Sequence, residues 1–576
     1  MSSIRMVYNG REKHVGLDRE EIYILIIIFI ATLLRFILVF LNWPVTNSDE
    51  GNMAILARHV AFNGEWPIFF YGLPYLGPIE GYIAAPLFHL FGSSTFTLRL
   101  ALLPFFSLFL LCMYYLTRLL YSSRLAIFTV VLLSFGSEEI LRRQLRAVGE
   151  YPETLFFAAF ICLVVSWLVL SAHEMTGKTR TTRRLFVYGV LGLVVGCGLW
   201  VDFLILPFLG TASILLLLFC RRELVSWAGL SLFAGLLIGA FPLLYYNITA
   251  PLSSNSLAIL ISTQHSGASQ HLPFLQQLVG TFMISLPNAT GFNPLCPSNV
   301  FPYFGTINIY CVVLQGGWGI GYLLLLVFAT FQTMNVIWRR WRDKASFTLT
   351  DKGKEQSVVR QCCRLMLLVS VGGTILLYAI SPASAAFPGP TARYLVCVLV
   401  ATPALCWPLW KCEWMMKTSF QMRTHLRFFV SKGMLCLLLT LFVMGTFLTF
   451  LQIPAAEAAY EQQNHLVQHL LTLHATRIYS EYWTCNRLTF QSEEKIICSA
   501  LTENLAPGFD RYAPYTHIVK ASPFPAYAFP VGFQQTTLLD IKLNKDSNFN
   551  RIYQRQVFAG YVLYVPKREV PQRGVH

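Results

Sequence analysis

Charge is what this 576-residue chain has least of. Asp, Glu, Lys and Arg make up 13% of it, about half the share of a soluble domain, while 55% of its residues are hydrophobic. A soluble enzyme needs a more polar surface and a disordered chain a lower hydrophobic content, so both are excluded. The net charge of +15 invites a nucleic-acid-binding reading, but the 44 Lys and Arg fall mostly in short gaps between apolar runs. The chain also lacks a GxGxxG or P-loop, an HExxH and a CxxC, which removes the usual marks of nucleotide-binding and zinc sites. There are no heptads, short-period repeats or low-complexity tracts. Residues 248–315 contain no Lys or Arg at all.

What the chain does have is apolar runs long enough for a bilayer, which needs about 20 helical residues. They lie near 22–41, 97–120, 153–172, 186–201, 203–219, 225–246, 316–336, 365–380, 394–410 and 433–451. A shorter run from Leu125 to Gly136 is accepted because the charge pattern requires it. Without it, Lys178, Arg180, Arg183 and Arg184 would lie opposite the basic N-terminus. With 11 spans, 25 basic residues fall on the side of the N-terminus and 6 on the other, before the tail. The positive-inside rule then puts the N-terminus in the cytoplasm and residues 452–576 outside. The first run is not read as a cleaved signal, because no small-residue cleavage site follows it. The expected fold is a polytopic α-helical membrane protein, 1–451, followed by an extracytoplasmic mixed α/β domain, 452–576.

Of 14 cysteines, four lie outside: Cys296 and Cys311 in one loop, Cys485 and Cys498 in the tail. Each pair suits a disulfide in an oxidising compartment, although spacing leaves free thiols equally open. Two Asn-X-Thr sequons start at Asn247 and Asn288 and do not settle the source.

The chemistry gathers on the outer side. The first outer loop, 42–96, begins with Asn47-Ser48-Asp49-Glu50-Gly51-Asn52, two adjacent acids directly after the first span. One reading is helix capping by Ser48 or Asp49, with acids favoured in the first turn. The other is a built site at the membrane surface. An amphipathic interfacial helix follows, with Met53, Leu56, Ala57 and Val60 on one face, then a turn at Asn63-Gly64 and Pro67. Tyr71 to Glu80 leads into a second apolar helix, Tyr82 to Phe91, too short to span. In the second outer stretch Arg142, Arg143 and Arg146 run against the positive-inside rule. Either Glu138, Glu139, Glu150 and Glu153 pair with them, or they serve an anionic ligand, for which the guanidinium fork is suited. Arg35 inside the first span, toward its outer end, either snorkels to the surface or is a further part of the outer-face site, because a lone Arg in lipid costs about 2.5–3.5 kcal/mol. Asp202 and Arg393-Tyr394 lie on the same outer side. His59, His89, His265 and His271 share no ligand spacing.

Taken together, these residues resemble the GT-C membrane glycosyltransferases, most closely the dolichyl-phosphate-mannose–protein mannosyltransferase-like branch (glycosyltransferase family 39). The resemblance rests on the Asp49-Glu50 pair, the Tyr71–Phe91 run, Arg146 to Glu153, Gly198 to Asp202, Ala392-Arg393-Tyr394, and the tail segments Tyr479 to Trp483 and Arg487 to Phe490. It covers essentially the whole chain; the order and sidedness of the segments carry it rather than any one of them. It implies a GT-C fold and an enzyme that transfers a hexose or pentose from a polyprenyl-phosphate-linked donor to a protein, lipid or glycan acceptor, on the extracytoplasmic face of a prokaryotic plasma membrane. Asp49, then Glu50, would act as general base. Arg142, Arg143, Arg146 and Arg393 would stabilise the leaving phosphate. Glu80, Glu153, Asp202 and Tyr394 would line the substrate site. Single displacement would invert the anomeric centre. No metal ligand is assigned: some GT-C enzymes use a divalent metal, but no residue pattern here requires one, nor any other cofactor. Membrane lipid is a partner and nucleic acid is not.

In the tail, Gln462 to Leu473 reads as a helix, and Arg487–Phe490, Lys495–Cys498 and Gly560–Val565 read as strands. Aromatics and prolines across Tyr512–Phe533 either shape an acceptor groove or pack the domain. Two other functions compete: a lipid-linked-sugar transporter or flippase, which would concentrate ionisable groups near mid-membrane, and a noncatalytic scaffold.

Overall fold

The computed structural model describes residues 19–172, 178–266, 273–292, 296–342, 352–411 and 421–567. The basic residues Arg5, Arg11 and Lys13, together with His271, lie outside them. Among the described residues, eight helical segments are long and apolar enough to cross a membrane, and the pair Trp227–Gly239 and Phe241–Thr249, bent by 63°, meets the same test only together, as a broken span or a re-entrant loop. The run 225–246 is therefore not one straight span. Pro242 in the first turn of the second helix cannot continue the hydrogen-bond ladder, and the break falls just before it. Ser123–Ser134 and Phe203–Phe219 are shorter apolar helices, so all eleven apolar runs fall on helices. The chain is a polytopic helical membrane protein.

Packing inside the bundle relies on small residues where helices touch closely. Helices Lys178–Val201 and Trp227–Gly239 meet along Gly189, Gly192, Gly196, Gly235 and Gly239; a Cβ on Gly192 would lie 2.0 Å from the Leu232 carbonyl oxygen. The first span leaves Phe29, Ile30 and Leu33 exposed on its outer face, as lipid contact requires. Arg35 in the same span does not snorkel. It is fully buried, and its Nε and Nη2 donate to Gln144 Oε1 at 3.1 and 2.8 Å. Nη1 donates to the Ser134 carbonyl at 2.6 Å, and the guanidinium stacks 3.6 Å from the Phe106 ring centroid. Arg35 thereby ties helix Glu138–Leu145 to the first span.

Helix Gln421–Leu451 runs almost directly into Ile453–Thr472, which leads to a mixed five-stranded sheet: β1 Arg477–Ser480, β2 Ile497–Ala500, β3 Ala526–Pro530, β4 Tyr553–Phe558 and β5 Tyr561–Pro566. The spatial order is β2-β1-β3-β5-β4, with β1 parallel to β2 and β3, and β5 antiparallel to β3 and β4. Ala559 and Gly560 turn β4 into β5 with both φ positive, as the twist of a two-residue hairpin demands. Arg487–Phe490 is not a strand: it lies in helix Tyr482–Gln491, started by the Glu481 side chain accepting from Trp483 N. Cys485, Leu488 and Thr489 form that helix's buried face, so the 3.6-residue period prevails over the β-branched Thr489. The disulfide Cys485–Cys498 joins this helix to β2, and Cys296–Cys311 closes a loop elsewhere.

Candidate active site

Helix Ser48–Arg58 starts at Asn47, whose side chain accepts from Glu50 N. Capping therefore needs neither Ser48 nor Asp49. The helix is not a half-exposed amphipathic one, for Gly51 to Ala57 are all buried. One side meets helix Ile79–Phe91. The other meets helix Tyr482–Gln491, so closely that a Cβ on Gly51 would lie 2.8 Å from the Asn486 backbone. Next to this contact, Arg58 and His59 Nε2 both reach Glu494, at 2.8 and 2.9 Å, and Tyr515 donates to the same carboxylate at 2.6 Å. The first loop and the C-terminal sheet region are thus held together by buried polar contacts as well as by packing.

The two adjacent acids part company. Glu50 is fully buried. Arg99 grips it in a fork, Nε to Oε1 at 2.7 Å and Nη2 to Oε2 at 2.6 Å, while Ala147 N and the Thr46 hydroxyl donate to it as well. Burial alone would raise its pKa, but the Arg99 charge and hydrogen bonds, aided by Arg146 and Thr46, hold it below the usual carboxylate range. Asp49 keeps a small opening, with 13% of its side chain exposed. Its Oδ1 accepts from Arg511 Nη2 at 2.6 Å and from the Tyr482 hydroxyl, and Arg511 Nε also donates to Tyr482 at 2.7 Å. Among the described residues, no hydrogen bond occupies Oδ2.

Two pairs of carboxyl groups lie behind these acids. Glu80 accepts from Gly149 N through Oε1, while its buried Oε2 and both buried oxygens of the neighbouring Glu153 have no hydrogen-bond partner among the described residues. Burial, then the Glu153 charge, pushes Glu80 well above the usual range. Glu150 lies within electrostatic reach of Asp202, whose Oδ1 accepts from Leu204 N and whose buried Oδ2 has no hydrogen-bond partner among the described residues. Burial, then the Glu150 charge, raises Asp202 strongly; burial raises Glu150 too, against the nearby Arg393. Two buried charges of like sign repel, which favours the protonated form in each pair. Gly149 and Glu150 both have positive φ, at 78° and 102°. A non-glycine residue in that region costs of order 1–3 kcal/mol and is characteristic of functional sites.

A carboxyl group raised in the folded state binds protons that the unfolded chain has released. Stability therefore falls as pH rises from about 4.3 towards the folded value. Glu80→Gln mimics the protonated acid: its oxygen still accepts from Gly149 and its amide can donate to Glu153. The variant is expected to lose less thermal stability than the wild type between about pH 5 and about pH 8. Equal pH dependence in the two proteins would mean that Glu80 is ionised when folded.

The arginines also divide. Arg142 is matched by Glu138 and Glu139, and Arg143 by Glu139 at 3.1 Å. Arg146 donates to the Val45 carbonyl at 2.6 Å, its buried Nε has no partner, and no described carboxylate lies within ion-pair distance. Burial pushes it down to about 10, so it stays cationic at neutral pH. Arg393 likewise has a partnerless buried Nε, with Tyr394 its neighbour at 3.4 Å. An open cleft of about 330 Å³ lies between helix Glu138–Leu145 and segment Ala392–Ala401, lined by Arg143, Arg393, Gln144, Asn288, Val396 and Leu399. Asn288 is buried there with Oδ1 partnerless, which does not suit a glycosylation site. The Tyr75 hydroxyl lies within electrostatic reach of Glu150, Tyr394, Arg511 and Arg393, and so connects the Asp49 side of the site to the arginine side.

Of the residues named from the sequence, Asp49, Glu50, Glu80, Arg146, Glu153, Asp202, Arg393 and Tyr394 lie around this junction, while Arg142 and Arg143 are engaged by Glu138 and Glu139. Sequence reasoning missed Arg99, Tyr482, Arg511 and Asn288 as site residues. Tyr482 stands inside the Tyr479–Trp483 segment of the resemblance and Asn288 opens a sequon, neither with a site role assigned, and nothing local distinguishes Arg99 or Arg511. No three His, Cys, Asp or Glu among the described residues converge as metal ligands. Asp49 faces a guanidinium and a phenol, a donor set that does not fit a divalent cation.

No protein-family model and no curated protein matches this sequence. Among solved structures, the chain is similar to ArnT from Cupriavidus metallidurans in the apo state, with 12% identity over 94% of this chain and 97% of that one, at a TM-score of 0.50. The same ArnT bound to undecaprenyl phosphate scores 0.48 at 13% identity, covering 96% and 99%. The archaeal oligosaccharyltransferase AglB from Archaeoglobus fulgidus, in complex with an inhibitory peptide and a dolichol-phosphate, scores 0.44 at 12% identity, covering 96% and 75%. Identities this low bear on fold alone, and the two lower scores add nothing to it. Over nearly its whole length the chain thus shares the fold of ArnT, the GT-C fold.

Proposed function

We propose that this protein transfers a sugar, a hexose or pentose, from a polyprenyl-phosphate-linked donor to an acceptor hydroxyl at the outer membrane surface. The observation that carries this reading is the pairing of a carboxylate with one oxygen left open, Asp49, with the partnerless Nε donors of Arg146 and Arg393 at one membrane-loop junction. Arg511 and Tyr482 hold Oδ1, leaving Oδ2 to accept the acceptor's proton. As the acceptor oxygen bonds to the anomeric carbon, the bond from that carbon to the phosphate oxygen breaks and the lipid phosphate leaves. Arg393 and Arg146 supply donors for the charge that develops on it. One displacement inverts the anomeric configuration. Glu80, Glu153, Glu150 and Asp202 shape and position the site from behind as two buried carboxyl pairs. Glu50 supports it structurally and carries no proton transfer, being enclosed by Arg99.

The same reading places the N-terminus in the cytoplasm and 452–576, as a separate domain, outside a prokaryotic plasma membrane. The bias of 25 basic residues to 6 and the disulfide-bonded pairs favour this arrangement. Transport fits less well, because the one arginine deep in the first span, Arg35, is fully engaged by internal partners.

Purified protein in nanodiscs, incubated with a panel of polyprenyl-phosphate sugars, is expected to release polyprenyl phosphate. Lipid translocation without release would establish the flippase reading instead. Arg393→Ala is expected to lower transfer by about 10²-fold, as loss of one preorganised donor does, and Arg146→Ala to weaken donor use. Arg142→Ala, whose charge Glu138 and Glu139 already engage, should change donor kinetics far less. Unchanged donor kinetics in the Arg393 and Arg146 variants would remove both from phosphate binding.

A further inference from the structure

A second open cleft, of about 490 Å³, lies in the C-terminal region and adjoins Asp49 through Tyr482 and Arg511, which line it. Its walls are aromatic. Phe509, half exposed, lies 5.8 Å from the Tyr482 ring and 4.8 Å under the Arg511 guanidinium, and Tyr512 lines it further along. Its rim is polar and neutral or acidic. Asp510 is exposed with only Oδ1 engaged, by Tyr512 N, and Asn486 and Thr516 complete it. The charge of Arg511 is already spent on Asp49. The cleft therefore offers flat apolar faces beside acceptors and donors of hydrogen bonds, with no cation left for an anion.

We propose that this cleft binds a neutral saccharide, which makes a glycan the acceptor of the transfer reaction; in that respect it rests on the function proposed above. A pyranose ring presents a C–H face suited to an aromatic surface and a rim of hydroxyls that both donate and accept, matching Asp510, Asn486 and Thr516. A peptide acceptor would most simply add to the exposed edge of β2, but that edge is occupied. Cys498 N donates to Thr489 Oγ1 at 3.2 Å, Ala500 O accepts from Gly508 N at 2.8 Å, and Leu501 bridges to Pro507. A hydroxyl of a saccharide seated against Tyr482 and Arg511 would lie next to the carboxylate that takes its proton.

The test is saturation-transfer NMR on the full chain in nanodiscs, with neutral trisaccharides of glucose, mannose and N-acetylglucosamine as probes and a serine- and threonine-rich decapeptide beside them. The wild type is expected to transfer saturation to the ring protons of at least one sugar and not to the peptide. Phe509→Ala and Asp510→Asn, both exposed positions whose loss spares the core, should each weaken that signal at least fivefold. Lys520→Ala, on exposed surface away from the cleft lining, should not. No signal for any of the sugars, an undiminished signal in Phe509→Ala, or binding of the peptide instead would overturn the proposal. Binding is read without turnover, so failure here leaves the transfer reaction standing, and an inactive transferase would still report its saccharide.

Discussion

Replacing Asp49 with Asn is expected to slow sugar transfer by about 10²–10⁴-fold, the contribution of one positioned general base. The substitution keeps the shape of the side chain, and the amide oxygen still accepts from Arg511 and Tyr482. What it loses is the lone pair at Oδ2, where an NH2 group now stands and cannot take a proton from the acceptor. The fold should be unaffected, because Arg511 keeps its bond to Tyr482 and its places over the Phe70 and Phe509 rings. The measurement is release of polyprenyl phosphate by the variant and the wild type at saturating donor, with size-exclusion profiles and melting temperatures as folding controls. Wild-type turnover in a folded Asp49→Asn protein would take Asp49 out of the chemistry.

The neighbouring acid should behave in the opposite way, with stability as its readout. Arg99→Leu leaves the Glu50 carboxylate fully buried without its cation, and breaking a buried ion pair from one side costs about 3–5 kcal/mol. A marked fall in melting temperature is expected, together with loss of the loop geometry that presents Asp49. The double variant Glu50→Leu/Arg99→Leu should recover much of it, because two apolar side chains remove the desolvation cost along with the pair. The pair also fixes the sign of a pH effect. Glu50 is depressed in the folded state, so its contribution is present above the unfolded value of about 4.3 and is lost as pH falls through the folded value. A melting temperature of Arg99→Leu equal to that of the wild type would show that Glu50 is not held as described.

Why these adjacent acids should differ is not a property of either residue. Successive positions on a helix point about 100° apart, since 3.6 residues complete a turn. One of the two therefore faces whatever packs behind the helix while the other faces outward. What packs behind is Arg99, 49 positions along the chain, and what waits outward is Tyr482 and Arg511, more than 430 positions away. No local pattern contains that information. The arginine cluster repeats the lesson. Arg142 and Arg143 have carboxylates three and four residues earlier on the same helix, a pairing that helical spacing alone predicts. Arg146 lies past the helix end, and only the path of the chain there leaves its Nε without a partner. The strand expected at Arg487–Phe490 failed for a related reason: four residues do not distinguish the two periods, and burial of Cys485 with Leu488 settles on the helix.

By itself the sequence determined the membrane architecture. A bilayer demands contiguous apolar length and internally satisfied backbone, both of which are local and can be counted along the chain. Scarce charge also made the few acids and arginines beside the membrane conspicuous. Only the tertiary structure decided which of those charges are spent on one another and which are left over. A side chain's partner depends on residues distant in sequence that packing brings within 3 Å, and here that separates an enclosed Glu50 from an Asp49 with one oxygen still open.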